Sequence, residues 1–122
     1  MTPEFDPSGL SPHSPGAKLD AGKNRVGLVL GGFSQALLAV SRVGTFGANK
    51  YTPNGWRSVE DGEARYTDAM LRHHLWEASG ELRDADSDLL HAAHRAWNAL
   101  AVLELQLQRL HAEESGLNPG DR

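Results

Sequence analysis

Side chains that bind metals or act as acids and bases are concentrated between residues 72 and 98. They are Arg72, His73, His74, Glu77, Glu81, Asp84, His91, His94 and Asn98. From His73 to Glu81 they recur every four residues, and from His91 to Asn98 they recur at steps of three and four, so each set shares one face of a helix. Gly80 can end the first helix just before Glu81. Two helices that present such groups to each other can build a metal or polyphosphate site.

The types of these side chains suit divalent cations. Carboxylate oxygens favour Mg²⁺ or Mn²⁺, and imidazoles shift the preference toward Mn²⁺ or another transition metal. The candidate ligands are His73, Glu77, Glu81, Asp84, His91 and His94. An alternative is a network of His–Glu and Arg–Glu pairs that only locks the helices together, and periodicity alone leaves both interpretations open.

Several other chemistries are excluded by the sequence. The chain has no cysteine, which excludes disulfides, thiolate zinc sites and a cysteine nucleophile. It contains no His-Glu-x-x-His motif of zinc proteases and no His-Asp dipeptide of metal-dependent phosphohydrolases. None of its serines has the sequence context of a known nucleophile.

Length and composition indicate one ordinary globular domain. The chain has 122 residues, of which 39% are hydrophobic and 23% charged. A formal net charge of −4 argues against a nucleic acid polymer as partner. No apolar run approaches the roughly 20 residues of a membrane helix, and no signal pattern is present, so we expect no membrane association. A cytoplasmic location is expected, in the host cytoplasm if a phage encodes the chain.

The apolar periodicity predicts an all-α bundle of three to four helices. In residues 26–43, one stripe at helical spacing predicts a buried face in a helix that begins near Phe33: Leu30, Phe33, Leu37 and Val40. Residues 44–56 contain three glycines and a proline, which predicts a loop or a broken helix. A second helix is predicted over residues 63–80. A third, capped by Asp84, Asp86 or Ser87, is predicted to reach about residue 111.

Both faces of the last helix are apolar enough to be buried, and the second helix also carries apolar residues on two sides. One face carries leucines and alanines at alternating steps of four and three: Leu89, Ala93, Ala96, Leu100, Leu103, Leu107 and Leu110. The opposite face carries a polar stripe that becomes apolar: His91, His94, Asn98, Ala101, Val102 and Leu105. Burial on two sides exceeds the needs of a chain of this length, so we predict a homo-oligomer, a dimer or tetramer, that completes the bundle.

The two ends of the chain differ in composition from its middle. We predict a disordered lead-in over residues 1–15, a single all-α domain over residues 16–113 and a frayed tail over residues 114–122. Just after the lead-in come four charged residues, Lys18, Asp20, Lys23 and Arg25. They form either a solvated loop or an arm that clamps phosphates.

A second group of candidate binding residues lies in the segment 44–56. It comprises Lys50, Tyr51, Asn54 and Trp56. A cation beside two aromatic rings suits stacking on a base and holding a phosphate. The alternative is that Tyr51 and Trp56 anchor the segment to the core.

Four motifs in order, covering about residues 16–105, are similar to a known family. They are GAKLDAGKNR, GTFGANKYTPNGW, RYTDAMLRHHLWEASGE and LLHAAHRAWNAL. In this order they resemble the phage and bacterial dATP/dGTP diphosphohydrolase family, which is grouped with the MazG-like all-α nucleoside triphosphate pyrophosphohydrolases. The resemblance implies a MazG-like fold. It also implies cleavage of a purine deoxynucleoside triphosphate between its α and β phosphates, which gives the monophosphate and pyrophosphate.

The resemblance also implies a set of metal ligands. The wider group carries a Glu-rich motif on one helix and a Glu-x-x-Asp motif on the next, and together they hold Mg²⁺ or Mn²⁺. Glu77 and Glu81 match the first motif, whereas His91 and His94 stand where the second is expected. This departure leaves open how many ions bind, and whether the histidines bind metal or phosphate.

The mechanism expected from this resemblance is metal-assisted hydrolysis of the triphosphate. Its expected catalytic residues are Glu77, Glu81 and His94. The expected substrate-binding residues are Lys18, Asp20, Lys23, Arg25, Lys50, Tyr51, Asn54, Trp56, Arg72 and Asn98. The alternatives are a non-catalytic nucleotide-binding or regulatory module and a purely structural helical protein.

Overall fold

A computed structural model describes residues 3–116 of the chain. Within that range there are four α-helices, one short 3-10 turn and no strand. The elements are α1 (Val26–Gly32), α2 (Ser34–Lys50), the 3-10 turn (Gly55–Ser58), α3 (Gly62–Ala78) and α4 (His91–Glu114). The predicted all-α class and helix number are therefore confirmed, while completion of the bundle by oligomerisation stays a prediction.

The chain divides into two compact units, Met1–Ser34 and Gln35–Arg122. In the first unit, the buried carboxylate of Asp6 accepts hydrogen bonds from the backbone N–H groups of Ser8 and Lys18, at 2.6 and 2.7 Å. The predicted boundaries after residues 15 and 113 stay predictions. Residues 1–2 of the predicted lead-in and 117–122 of the predicted tail lie outside the described residues.

The second helix in the chain continues through two glycines that were expected to break it. The prediction of a loop or broken helix is wrong for residues 44–50, because α2 runs to Lys50. A Cβ atom on Gly44 would lie 3.2 Å from the indole nitrogen of Trp97. Glycine is present there because α4 brings a large ring close to the α2 backbone, and not because the helix ends.

The predicted apolar stripe on the first two helices is also only partly buried. Helical structure starts at Val26, earlier than expected, and is interrupted at Phe33. Leu30 and Phe33 are half or more exposed, whereas Leu37 is only partly exposed. Within residues 3–116 no single helix is long and apolar enough to cross a membrane, although α1 and α2 taken together meet that length and composition.

A glycine turn ends α3 at the position expected from the sequence. Gly80 has φ +111°, its N–H donates to the carbonyl of Glu77, and the N–H of Glu81 donates to the carbonyl of Trp76, each at 3.0 Å. This is the Schellman arrangement, in which a left-handed glycine satisfies the last free carbonyls of a helix. Glu81 therefore leaves the helical face that His73 and Glu77 occupy.

An antiparallel pair of helices, α3 and α4, forms the centre of the second unit. Ion pairs join them at both ends: Arg109 Nε lies 2.8 Å from Glu63, and Arg95 lies 2.7 Å from Glu77. Near one end, a Cβ on Gly62 would meet Leu105 Cδ1 at 2.8 Å, so the helices approach closely there. These contacts fix which residues of α3 face which residues of α4.

The buried side chains of α4 are small or polar, and four of its leucines are exposed. The buried set consists of His91, Ala93, His94, Asn98, Ala101 and Ala112. Leu100, Leu103, Leu107 and Leu110 are 41–49% exposed. Among residues 3–116, only the face of α4 that carries His91, His94 and Asn98 is largely covered.

The close approach at Gly62 generates a stability prediction. Gly62→Val should lower the free energy of unfolding by about 1–3 kcal/mol, because the added methyl groups overpack against Leu105. The measurement is urea unfolding followed by circular dichroism. Gly47→Val is the matched control, since nothing lies within 4 Å of an added Cβ at that position. Equal destabilisation by both substitutions would contradict the packing argument.

Candidate functional site

Three histidine rings meet between α3 and α4. His73 Nδ1 lies 2.8 Å from His91 Nδ1. The ring of His73 also stacks on that of His94, with centroids 4.4 Å apart and planes within 8°. His91 and His94 are buried and His73 is partly exposed. The three histidines that the sequence placed on facing helices therefore form one cluster of imidazole rings.

The connection between α3 and α4 brings a carboxylate to this cluster. The backbone of Asp84 is held at both sides, because its N–H donates to Leu89 and its carbonyl accepts from Asp88, each at 2.8 Å. Its Oδ2 accepts from the N–H of Ser87 at 2.8 Å and from the Ser87 hydroxyl at 3.0 Å. The expectation that Asp84, Asp86 or Ser87 caps the last helix is wrong. The helix begins at His91, and this turn uses its polar side chains internally.

His73, Asp84 and His91 form a group that can hold a metal ion. One donor atom from each of His73, Asp84 and His91 lies within 4.8 Å of the others. The two Nδ1 atoms share a hydrogen bond of 2.8 Å, which an ion bound between the rings would replace. The donor set, two imidazoles and one carboxylate, is also one that divalent transition metals accept.

The pKa shifts of His73, His94 and Asp84 are compatible with metal binding. Burial, followed by the proximity of His94, lowers the pKa of His73 to about 4. Burial also lowers the pKa of His94, although Asp84 opposes the shift. Burial tends to raise the pKa of Asp84, but the hydrogen bonds from Ser87 outweigh it and the net shift is downward. An uncharged ring at His73 and His94 and an ionised carboxylate at Asp84 are the states from which a metal ion can be bound.

The other predicted metal ligands lie around this group and outside it. Glu77 is engaged with Arg95, 2.7 Å away. Glu81 Oε1 lies 3.6 Å from Nε2 of His91, the ring nitrogen that does not face His73. His94 Nε2 is 2.7 Å from the Ser87 hydroxyl and 3.9 Å from Asp84. The assignments of Glu77, Glu81 and His94 as ligands or catalytic residues stay predictions.

A cleft of about 1130 Å³ in the second unit adjoins the histidine cluster. His73, Asp84 and His94 line it. It is also lined by all six predicted substrate-binding residues of that unit: Lys50, Tyr51, Asn54, Trp56, Arg72 and Asn98. The remaining four, Lys18, Asp20, Lys23 and Arg25, belong to the first unit. The structure thus brings the predicted residues of the second unit around one cavity, while their roles stay predictions.

The two aromatic candidates in the cleft have different surroundings. Tyr51 is 73% exposed, so its ring is available to a ligand. Trp56 packs edge-to-face against Trp97 and Tyr66, with centroid distances of 5.6 and 6.4 Å. That packing favours the anchoring interpretation for Trp56 and leaves Tyr51 as the better stacking surface.

The polar candidates in the cleft are also partly engaged. The Lys50 ammonium lies 2.7 Å from Asp86 and 5.6 Å from the centre of the Tyr51 ring. Its hydrogen bond with Asp86 raises the pKa of Lys50. The buried amide of Asn98 donates to the carbonyl of His94 at 2.8 Å. Asn98 therefore also braces the turn of α4 that carries His94.

Sequence reasoning missed Ser87 and Asp86 as parts of the site. Both had been considered only as helix caps. The spacing of Ser87 three residues after Asp84 is typical of a side chain that closes a turn, which is the signal that identifies its role. The contact of Asp86 with Lys50 joins residues 36 positions apart, and local spacing cannot reveal it.

Comparison with known families identifies the family of the chain. The family model described as dATP/dGTP diphosphohydrolase, N-terminal, matches residues 13–115. The chain belongs to this family. The resemblance found in the four sequence motifs is thereby confirmed. Neither the curated proteins nor the solved structures contain a match to the chain.

The depressed pKa of His73 in this family member predicts a pH dependence of stability. The pKa is about 4 in the folded chain and 6.5 for an unperturbed histidine, so the unfolded state binds the proton more readily. The stability that the unprotonated ring of His73 contributes is present in full above pH 6.5 and is lost as the pH drops toward 4. The melting temperature of His73→Gln should therefore change less than that of the wild type between pH 7.5 and 4.5.

The exposed neighbour of His73 provides the control for this experiment. His74→Gln should follow the wild-type profile, since its side chain lies on the outer face of the same helix. Parallel profiles for His73→Gln and His74→Gln would contradict the assignment of the effect to His73.

Proposed function

We propose that this chain is a metal-dependent nucleoside triphosphate pyrophosphohydrolase. Its substrate is a purine deoxynucleoside triphosphate, dATP or dGTP, which it cleaves to the monophosphate and pyrophosphate. The observation that carries the proposal is the shared cavity, because His73 and Asp84 line the same cleft as Lys50 and Arg72. Family membership supports the same reaction, since the family description names a dATP/dGTP diphosphohydrolase.

The metal in this proposal is Mg²⁺ or Mn²⁺, held by His73, Asp84 and His91. Two imidazole donors favour Mn²⁺ over Mg²⁺, which prefers oxygen ligands. When bound, the ion supplies charge neutralisation and an activated water. His73 and His91 each offer a ring nitrogen, and Asp84 offers a carboxylate oxygen that the neighbouring turn holds in place.

The cations of the cleft bind the phosphates in this proposal. An acidic chain must concentrate its positive charge locally to bind a polyphosphate, and Lys50 and Arg72 supply that charge in the cleft. Phosphoryl transfer depends mainly on positioning and on stabilisation of charge. The exposed ring of Tyr51 stacks on the base, while Asn54 and Asn98 are its hydrogen-bonding partners.

A second candidate function is a nucleotide-binding module without catalysis. The ion pair between Glu77 and Arg95 favours it, because that carboxylate is expected to bind metal in the wider group and is here engaged elsewhere. Such a module would be stabilised by nucleotide but would release no pyrophosphate.

The test of catalysis is pyrophosphate release from dATP and dGTP with and without Mn²⁺. Release should require the ion, and Asp84→Asn should lower it at least about 100-fold, since even outer partners of metal ligands cost 10–100-fold. Glu81→Gln in the same assay tests the predicted role of Glu81. Full activity of Asp84→Asn, or release in the presence of EDTA, would refute the metal role.

The control for this assay is His74→Gln, which should retain wild-type activity. A melting temperature raised by nucleotide, without any pyrophosphate release, would identify the binding module instead. If neither metal nor nucleotide changes the melting temperature, the remaining interpretation is a purely structural protein.

We also propose that the chain acts as a homo-oligomer. The four exposed leucines of α4 follow steps of three, four and three, and a second copy presents the same stripe: Leu100, Leu103, Leu107 and Leu110. Two identical stripes can pair around a twofold axis with coiled-coil packing. The exposed stripe supports this proposal, because such a run of leucines is costly to leave in water.

Disruption of the leucine stripe should change the molar mass in solution. Leu103→Glu should convert the oligomer to a monomer in light scattering after size exclusion, since it buries a charge at the centre of the interface. Gln106→Glu is the control, because it adds the same charge elsewhere on the exposed surface of α4. A wild-type monomer, or an intact oligomer of Leu103→Glu, would contradict the proposal.

A further inference from the structure

The hydroxyl of Ser87 lies at the centre of the polar contacts beside the candidate metal ligands His73, Asp84 and His91. Its Oγ is 2.7 Å from His94 Nε2, 3.0 Å from Asp84 Oδ2 and 3.2 Å from the backbone nitrogen of Leu89. Ser87 is partly buried and its own backbone N–H also donates to Asp84 Oδ2. One serine therefore contacts a candidate metal ligand and a neighbouring histidine at once.

The donors and acceptors around the Ser87 hydroxyl determine where the protons of Ser87 and His94 lie. A serine hydroxyl has one proton and two acceptor positions. The N–H of Leu89 can only donate to it, and the ionised carboxylate of Asp84 can only accept from it. The Ser87 proton is therefore directed at Asp84, so the contact with His94 requires a proton on Nε2 of His94. In the neutral ring Nδ1 is then the unprotonated nitrogen.

The same contacts distinguish the two oxygens of Asp84. Oδ2 accepts both bonds from Ser87. Within residues 3–116, Oδ1 has no hydrogen-bond partner, which leaves it as the oxygen free to bind a cation. Rotation of the carboxylate would break two short bonds, so Ser87 fixes which oxygen is presented.

We propose that Ser87 is a positioning residue that orients Asp84 toward a divalent cation and holds His94 as the Nε2–H tautomer. This inference rests on the proposed function in one respect, namely that His73, Asp84 and His91 bind a metal. Outer partners that orient a metal ligand in this way commonly change metal affinity by 10–100-fold. Ser87 does not touch the substrate in this proposal.

The first test is Mn²⁺ binding by calorimetry, which needs no substrate. Ser87→Ala should weaken Mn²⁺ binding about 10–100-fold. Ser87→Thr, which keeps the hydroxyl, should restore most of the affinity. Ser79→Ala is the matched control, because that hydroxyl bonds only to the carbonyl of Trp76 among the described residues. Melting temperatures of all variants show whether each is folded.

The second test uses metal-free protein and nuclear magnetic resonance of ¹⁵N-labelled histidine. His94 should show the shifts of a neutral ring protonated at Nε2 in the wild type and in Ser87→Thr. In Ser87→Ala the two ring nitrogens should move toward averaged values, because the fixed acceptor is lost. A purely structural serine would leave the tautomer unchanged.

The outcomes separate this inference from the proposed function. Wild-type affinity in Ser87→Ala, together with an unchanged His94 tautomer, overturns the role of Ser87 even if the chain hydrolyses dATP. Failure of the wild type to bind Mn²⁺ overturns the cation part of the inference. Tight Mn²⁺ binding that depends on Ser87, without pyrophosphate release, supports Ser87 and refutes the proposed hydrolysis.

Discussion

The burial of imidazole and amide groups between α3 and α4 is the constraint on which the rest of the second unit depends. His91, His94 and Asn98 occupy the positions where a simple helical pair would bury leucines. A buried polar group without a partner costs roughly 1–3 kcal/mol, so the surrounding structure must provide partners. The partner of Asn98 is a carbonyl one turn earlier, and that of His91 is His73 on the facing helix.

The contacts around this polar centre hold the two helices in one register. The ion pairs of Glu63 with Arg109 and of Glu77 with Arg95 lie on either side of it along the helices. A shift of one helix by one turn would move His73 by about 5.4 Å and separate it from both opposing rings. The close approach at Gly62 resists the same shift. The two ion pairs and the close packing at Gly62 therefore position the side chains that are proposed to bind the metal ion.

Placing polar groups inside leaves the large apolar side chains outside. Buried alanines form most of the small apolar core of α4, while the leucines on its other face remain exposed. Within residues 3–116, fewer apolar side chains are buried than usually stabilise a domain of this size. Association of chains and binding of a cation are both ways in which such a fold can gain stability, and both are consistent with the proposed function.

The sequence by itself determined the helical class, the end of α3 at Gly80 and the facing of His73 toward His91 and His94. These properties follow from local periodicity and from the backbone preferences of glycine, which act over a few residues. The family membership followed from motifs in order along the chain. Local information was therefore sufficient for the elements and for most of the candidate residues.

Only the tertiary structure decided how those residues are combined. Gly44 was expected to break a helix, but its role depends on the Trp97 ring from another helix. Glu77 was grouped with the metal ligands, yet Arg95, 18 positions away, is its partner. Asp84 and Ser87 were expected to cap α4 and instead form the turn that holds a carboxylate beside two histidines. Each outcome depends on which atoms meet across the helix pair, and periodicity along one helix carries no information about distances to the next.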